Sequence, residues 1–94
     1  MRTIYKYLLL LTDSQILHLP SSAKPLSVQL QGEQLCLWAE VPPAGQFVVE
    51  KEVVISIVGT GHPLPPGAVH YLGTVQQGQF VWHVYASAAM GERA

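Results

Sequence analysis

The chain has 94 residues, room for one domain, of which 49% are hydrophobic and only 12% charged, well below the usual charged share of about 25%. The net charge is −1 and the five basic residues, Arg2, Lys6, Lys24, Lys51 and Arg93, are scattered; this argues against direct nucleic-acid binding, which needs clustered cations to displace counterions. One cysteine, Cys36, excludes an internal disulfide and any cysteine-based zinc spacing and fits a reducing cytosol.

In chain order, Thr3–Leu9 opens with aromatic and β-branched residues and predicts a strand. The apolar run through Leu11 stops at Thr12-Asp13, too short for a signal core or a membrane span, so no targeting segment and no membrane contact is expected. Gln15–Leu19 predicts a second strand, with His18 on its surface, ended by Pro20-Ser21-Ser22. From Pro25 to Gln31 the chain alternates, with Leu26, Val28 and Leu30 on one face; Gly32-Glu33 turns it, and Gln34–Val41 alternates again with Leu35, Leu37 and Ala39 inward. This is the clearest hairpin in the chain. Cys36 and Trp38 share the opposite face of its second strand. Cys36 reads as a small packed side chain; Trp38 calls for a cover there, from a second sheet, a subunit or a ligand.

Pro42 to Gly45 is a rigid turn, Gln46–Val49 a short strand, and Glu50-Lys51-Glu52 an exposed connection or strand edge, where charge discourages stray pairing. Val53–Val58 is apolar on both faces, as a central strand is. It feeds the densest set of turn-formers in the sequence, Gly59-Thr60-Gly61-His62-Pro63-Leu64-Pro65-Pro66-Gly67. The glycines permit backbone angles and close approach that other residues forbid, and the prolines fix φ and remove amide donors, so the loop is expected to be stiff with His62 near its apex. Val69–Val75 follows as a strand; Gly73 inside it signals a bulge or a close approach. Gln76-Gln77-Gly78 turns the chain, Gln79–Tyr85 is the last strand, and 87–94 is a loosely ordered tail. The whole reads as one all-β domain over 1–94, a small antiparallel β-sandwich or barrel of about eight short strands. With so little charge, its apolar surface is expected to face a second copy, which predicts a homo-oligomer.

Catalytic signals are weak. Asp13 is the sole aspartate, Gly59-Thr60-Gly61 is too short for a dinucleotide fingerprint, and His62, His70 and His83 lack a ligand spacing, although His70 and His83 can meet across their hairpin. No catalytic residue, cofactor or metal is assigned. The sharper feature is flat rings beside a stiff loop: Gly59, Thr60, Gly61 and His62 offer amides and an imidazole, and Trp38, Tyr71, Trp82 and His83 offer a stacking wall. Together these eight are the candidate ligand-binding residues. Core and interface packing is the alternative role for the rings.

Five motifs, T-I-Y-K-Y at Thr3–Tyr7, C-L-W-A at Cys36–Ala39, G-T-G-H-P at Gly59–Pro63, Y-L-G-T at Tyr71–Thr74 and F-V-W-H-V at Phe80–Val84, run in the order in which they occur in small uncharacterised proteins encoded by phages and prophages. The chain resembles that group over nearly its whole length, with Leu8 where the group has proline. The resemblance implies a context rather than a mechanism: a non-enzymatic protein in the bacterial host cytosol, with a counter-defence role by sequestering a nucleotide-like immune signal in an oligomer. The alternatives are a protein-binding inhibitor of a host defence complex, in the manner of anti-CRISPR proteins, and a small virion or assembly component.

Overall fold

The structure, a computed structural model, describes residues 1–43 and 45–88. It contains seven strands and, among the described residues, no helix: β1 (Thr3–Leu9), β2 (Ser14–Pro20), β3 (Lys24–Gln31), β4 (Gln34–Val41), β5 (Glu50–Gly59), β6 (His70–Gln77) and β7 (Phe80–Ala86). They form a three-stranded sheet in the order β1-β4-β3 and a four-stranded sheet in the order β2-β5-β7-β6, antiparallel throughout. The all-β expectation holds, with seven strands rather than about eight.

The alternation read in β4 orients the smaller sheet. Leu35, Leu37, Ala39 and Val41 meet Leu19, Val53, Ile55, Val84 and Ala86 of the larger sheet in a single core. Cys36 lies on the outward face but is fully buried, its thiol donating to the Gln34 carbonyl at 3.5 Å. Two hairpins close on glycine. Gly32 (φ 62°) and Gly78 (φ 60°) are each the first residue of a two-residue loop and the only one with positive φ, which fits the type II′ turn that matches strand twist.

The outer strands β3 and β6 run against each other and close one side of the sandwich. There β6 carries a register shift between Tyr71 and Gly73, and a Cβ on Gly73 would stand 3.2 Å from the Val28 Cβ of β3. Both expectations for Gly73, a bulge and a close approach, are met.

Gln46–Val49 is no strand: the Gln46 amide turns back to the Pro43 carbonyl at 3.4 Å, and Val49 accepts one bond, from Ser21 at 2.7 Å, without a ladder. Apolar character is not enough where no neighbouring strand offers partners, and Phe47 stays 89% exposed. Glu50-Lys51-Glu52, expected as an exposed connection or a strand edge, is the second: it begins β5, paired to Pro20, Leu19 and His18, while the pairing of β5 with β7 starts only at Ile55. Of the expected tail, Ser87 bonds to β5. The Ser87 amide donates to Val54 O at 2.9 Å and its hydroxyl accepts from Val54 N at 3.0 Å; residues 89–94 lie outside the described residues.

Candidate functional site

The site begins at the end of β5. The His62 amide donates to the Gly59 carbonyl at 3.1 Å, closing a four-residue turn whose third residue, Gly61, has φ 91°. Positive φ at that position defines a type II turn and favours glycine. The turn swings His62 back over the strand it leaves. Gly59 pairs with Trp82 of β7, and a Cβ on Gly59 would meet Trp82 Cζ3 at 3.5 Å and His62 Nδ1 at 3.7 Å. A glycine here leaves the two rings bare where they converge.

Trp82 is half-buried, packs against the core, and stacks on Phe80 with ring centroids 5.5 Å apart and planes 16° apart. Its indole N–H donates to Gln77 Oε1 at 3.2 Å, and Gln77 Nε2 donates to Glu33 O at 3.4 Å in the β3–β4 turn. The ring is thus fixed by bonds that reach across both sheets. Two clefts share the Gly59–His62–Trp82 ridge. One, of about 510 Å³, continues past Asp13, Val58, Pro63 and Pro65. The other, of about 370 Å³, continues past Thr60, Gln79, Phe80 and Val81. Both fall in the range of small-molecule sites, about 300–1,000 Å³. A separate hollow of about 220 Å³ is walled by Leu9, Leu10, Leu11, Leu30 and Leu35 with Glu33, Gln34 and Gln77, and has no ring to stack on. Among the described residues no lysine or arginine lines either aromatic cleft. Arg2 is held by Glu40 at 2.7 Å and Lys6 by Gln31 at 2.6 Å, both in the other sheet.

Behind Thr60, on the outward face of the larger sheet, runs a chain of side chains. Thr60 Oγ1 lies 2.8 Å from His83 Nε2, Thr74 Oγ1 lies 3.0 Å from His83 Nδ1, and the Tyr71 hydroxyl lies 2.5 Å from Thr74 Oγ1. The Tyr71 ring packs edge-on against Tyr85, with centroids 5.5 Å apart.

Of the eight candidate residues, the fold therefore gathers Gly59, Thr60, Gly61, His62, Trp82 and His83 at one turn and joins Tyr71 through Thr74. Trp38 does not belong with them. It lies on the outward face of the other sheet, half-buried between Lys6 and Ser27, because β4 pairs with β1 and β3. Nor do His70 and His83 meet: His70 stands opposite Ala86 and His83 opposite Thr74. Among the described residues no group of three His, Cys, Asp or Glu is placed to hold a metal. Sequence reasoning missed Thr74, Phe80 and Asp13. Thr74 was within reach, since counting back through a two-residue turn at Gly78 puts it across from His83.

Fold and site together define a small antiparallel β-sandwich with an aromatic, ligand-sized cleft beside one interstrand turn. The chain belongs to the family described as Domain of unknown function (DUF7352), whose model matches residues 1–94. No curated protein and no solved structure matches it.

Proposed function

We propose that this chain is a non-enzymatic binding protein that captures a planar, nucleotide-like signal by stacking its base against His62 and Trp82. The observation that carries the reading is the ridge at Gly59, where the missing side chain leaves two rings bare between two clefts. Stacking on an aromatic side chain contributes about 1–3 kcal/mol per base and needs no catalytic group. A counter-defence role in the bacterial host cytosol rests on the five motifs shared with phage and prophage proteins. The clefts supply no cation for phosphates, so a phosphate-bearing signal calls for a second copy of the chain. Exposed Ile4, Leu8, Ile16 and Phe47 give such a copy apolar surface to cover.

A thermal-shift screen of the full chain against cyclic and ADP-ribose-type nucleotides tests the reading, because a ligand that binds only the folded state raises the melting temperature. At least one is expected to do so; a flat response across the panel rejects nucleotide capture. His62→Ala is expected to leave the melting temperature within a degree or so of the parent, since an exposed ring buries little. It should weaken binding of the responding nucleotide by about 1–3 kcal/mol, and unchanged affinity would remove His62 from the site. Light scattering is expected to show a homo-oligomer, most simply a twofold dimer; a monomer at all concentrations would rule out a site completed by a second copy.

A second reading, a protein-binding inhibitor, is favoured by β1. It is an edge strand whose Ile4, Tyr5 and Leu8 are exposed, a surface suited to strand addition by a partner.

A further inference from the structure

The direction of the hydrogen bonds behind Thr60 deepens the capture reading, on which it rests, by fixing what the occupant must present. A phenol is a stronger acid than an alkanol, so at 2.5 Å the Tyr71 hydroxyl is the donor and Thr74 Oγ1 the acceptor. Thr74 then has one proton to give, and the atom 3.0 Å from its oxygen is His83 Nδ1. A neutral imidazole that accepts at one nitrogen donates at the other. With Thr74 donating to Nδ1, His83 carries its proton on Nε2 and donates it to Thr60 Oγ1, 2.8 Å away; that direction is part of the inference and is what the tautomer measurement below tests. Thr60 is the end of the line. Its oxygen is already an acceptor, no further partner for its hydroxyl proton exists among the described residues, and it lines the same cleft as Phe80 and Trp82.

The geometry points to Thr60 as an oriented hydrogen-bond donor facing that cleft, set by a Tyr71–Thr74–His83 relay, so that the site selects a planar heteroaromatic ring bearing an acceptor at its edge. A ring nitrogen or carbonyl oxygen, as on a nucleobase, satisfies Thr60; a donor-only or hydrocarbon ring leaves it unmet. Thr60 touches the occupant. His83, Thr74 and Tyr71 are positioning residues that act through it. Gln79, which lines the same cleft, can meet a neighbouring donor or acceptor on the ring edge.

Benzimidazole and indole test this directly. They share one shape and one N–H, and benzimidazole adds a ring-nitrogen acceptor; at mildly alkaline pH both are neutral. Titrating each into the full chain while following the Trp82 indole resonance by NMR is expected to give benzimidazole a tighter Kd by about three- to tenfold, the net yield of one hydrogen bond to an exposed hydroxyl. Thr60→Val should erase that preference, bringing the two Kd values together, whereas Thr60→Ser should keep it. Nitrogen-15 shifts of His83 in the parent protein should report the Nε2–H tautomer, and Thr74→Val should loosen it. Equal binding of the two probes, a preference that survives Thr60→Val, or an Nδ1–H tautomer would overturn the inference while leaving planar-ligand capture standing. Failure of both probes to perturb Trp82 would reject capture at this ridge, and the inference with it.

Discussion

Gly73→Val is expected to destabilise the domain by about 2–3 kcal/mol, near the upper end for overpacking a well-filled interior, and to lower the melting temperature by about 8–24 °C for a domain of this size. The cause is local and steric. Even the first added carbon would stand 3.2 Å from Val28 Cβ and 3.6 Å from Val28 Cγ2. Val28 is 6% exposed and β-branched, so its χ1 is restricted and it has no solvent to turn into. Its Cβ is fixed by the backbone of β3, and the two sheets must move apart where β3 and β6 close the sandwich. Val28→Ala alone is also destabilising, because it leaves a cavity. In the double variant the alanine makes room for the new methyl groups, so the two penalties should sum to more than the measured loss, with a coupling of about 0.5–3 kcal/mol. Urea denaturation of the four proteins gives the cycle. Strict additivity would mean that the penalty does not come from the Val28 methyl groups, and would place it in the Cβ contact that alanine keeps or in the bulge itself.

How far this contact was legible shows where sequence reasoning has purchase. A glycine inside an apolar strand is a local anomaly, so a bulge or close approach can be read without knowing the partner. That the partner is Val28 depends on which strands end up at the sheet edges, and no local pattern encodes that. The β3–β4 hairpin was legible in its turn and in the inward faces of Val28, Leu35, Leu37 and Ala39, because that information is local, but Leu26, expected to share the inward face, falls at the register shift between Pro25 and Ser27 and is exposed. At the start of β5 a strand edge could be read, but not its partner. Glu50, Lys51 and Glu52 read as solvated charge, yet their backbone pairs with β2, a strand some thirty residues earlier. Phe47-Val48-Val49 misled in reverse, since β propensity reports fit to a pleated surface and there is no surface beside them.

The site divides in the same way. The glycines, His62 and the following prolines marked the loop by composition, and the type II turn at Gly61 follows from that. Joining His62 to Trp82 required the β5–β7 register that sets Gly59 against Trp82. Trp38 was grouped with them because a tryptophan on an apolar strand looks the same in sequence whether it faces outward, as Trp38 does, or packs against the core, as Trp82 does; only the division into two sheets parts them.

Trp82→Ala should show the largest combined effect on fold and site. Truncating a large aromatic side chain in a core costs about 3–5 kcal/mol. Trp82 is half-buried, so about 2–3 kcal/mol is expected here. Part of that is the indole N–H bond to Gln77, the residue that also reaches Glu33 across the sandwich. Trp82→Phe separates the contributions. It keeps a ring in place to stack on Phe80 but leaves Gln77 Oε1 without its donor, for about 1 kcal/mol. If the ridge captures a planar ligand, Trp82→Phe retains most of the affinity, Trp82→Ala loses about 1–3 kcal/mol of it, and both stay folded well below their melting temperatures. If Trp82 serves only to pack and to tie the hairpins together, the two variants rank the same way in stability but share one ligand response with the parent. Affinity measured at a temperature where all three proteins are folded, beside their urea midpoints, distinguishes the two roles. A Trp82→Ala protein that binds the responding nucleotide as tightly as the parent would move the site off the Gly59 ridge.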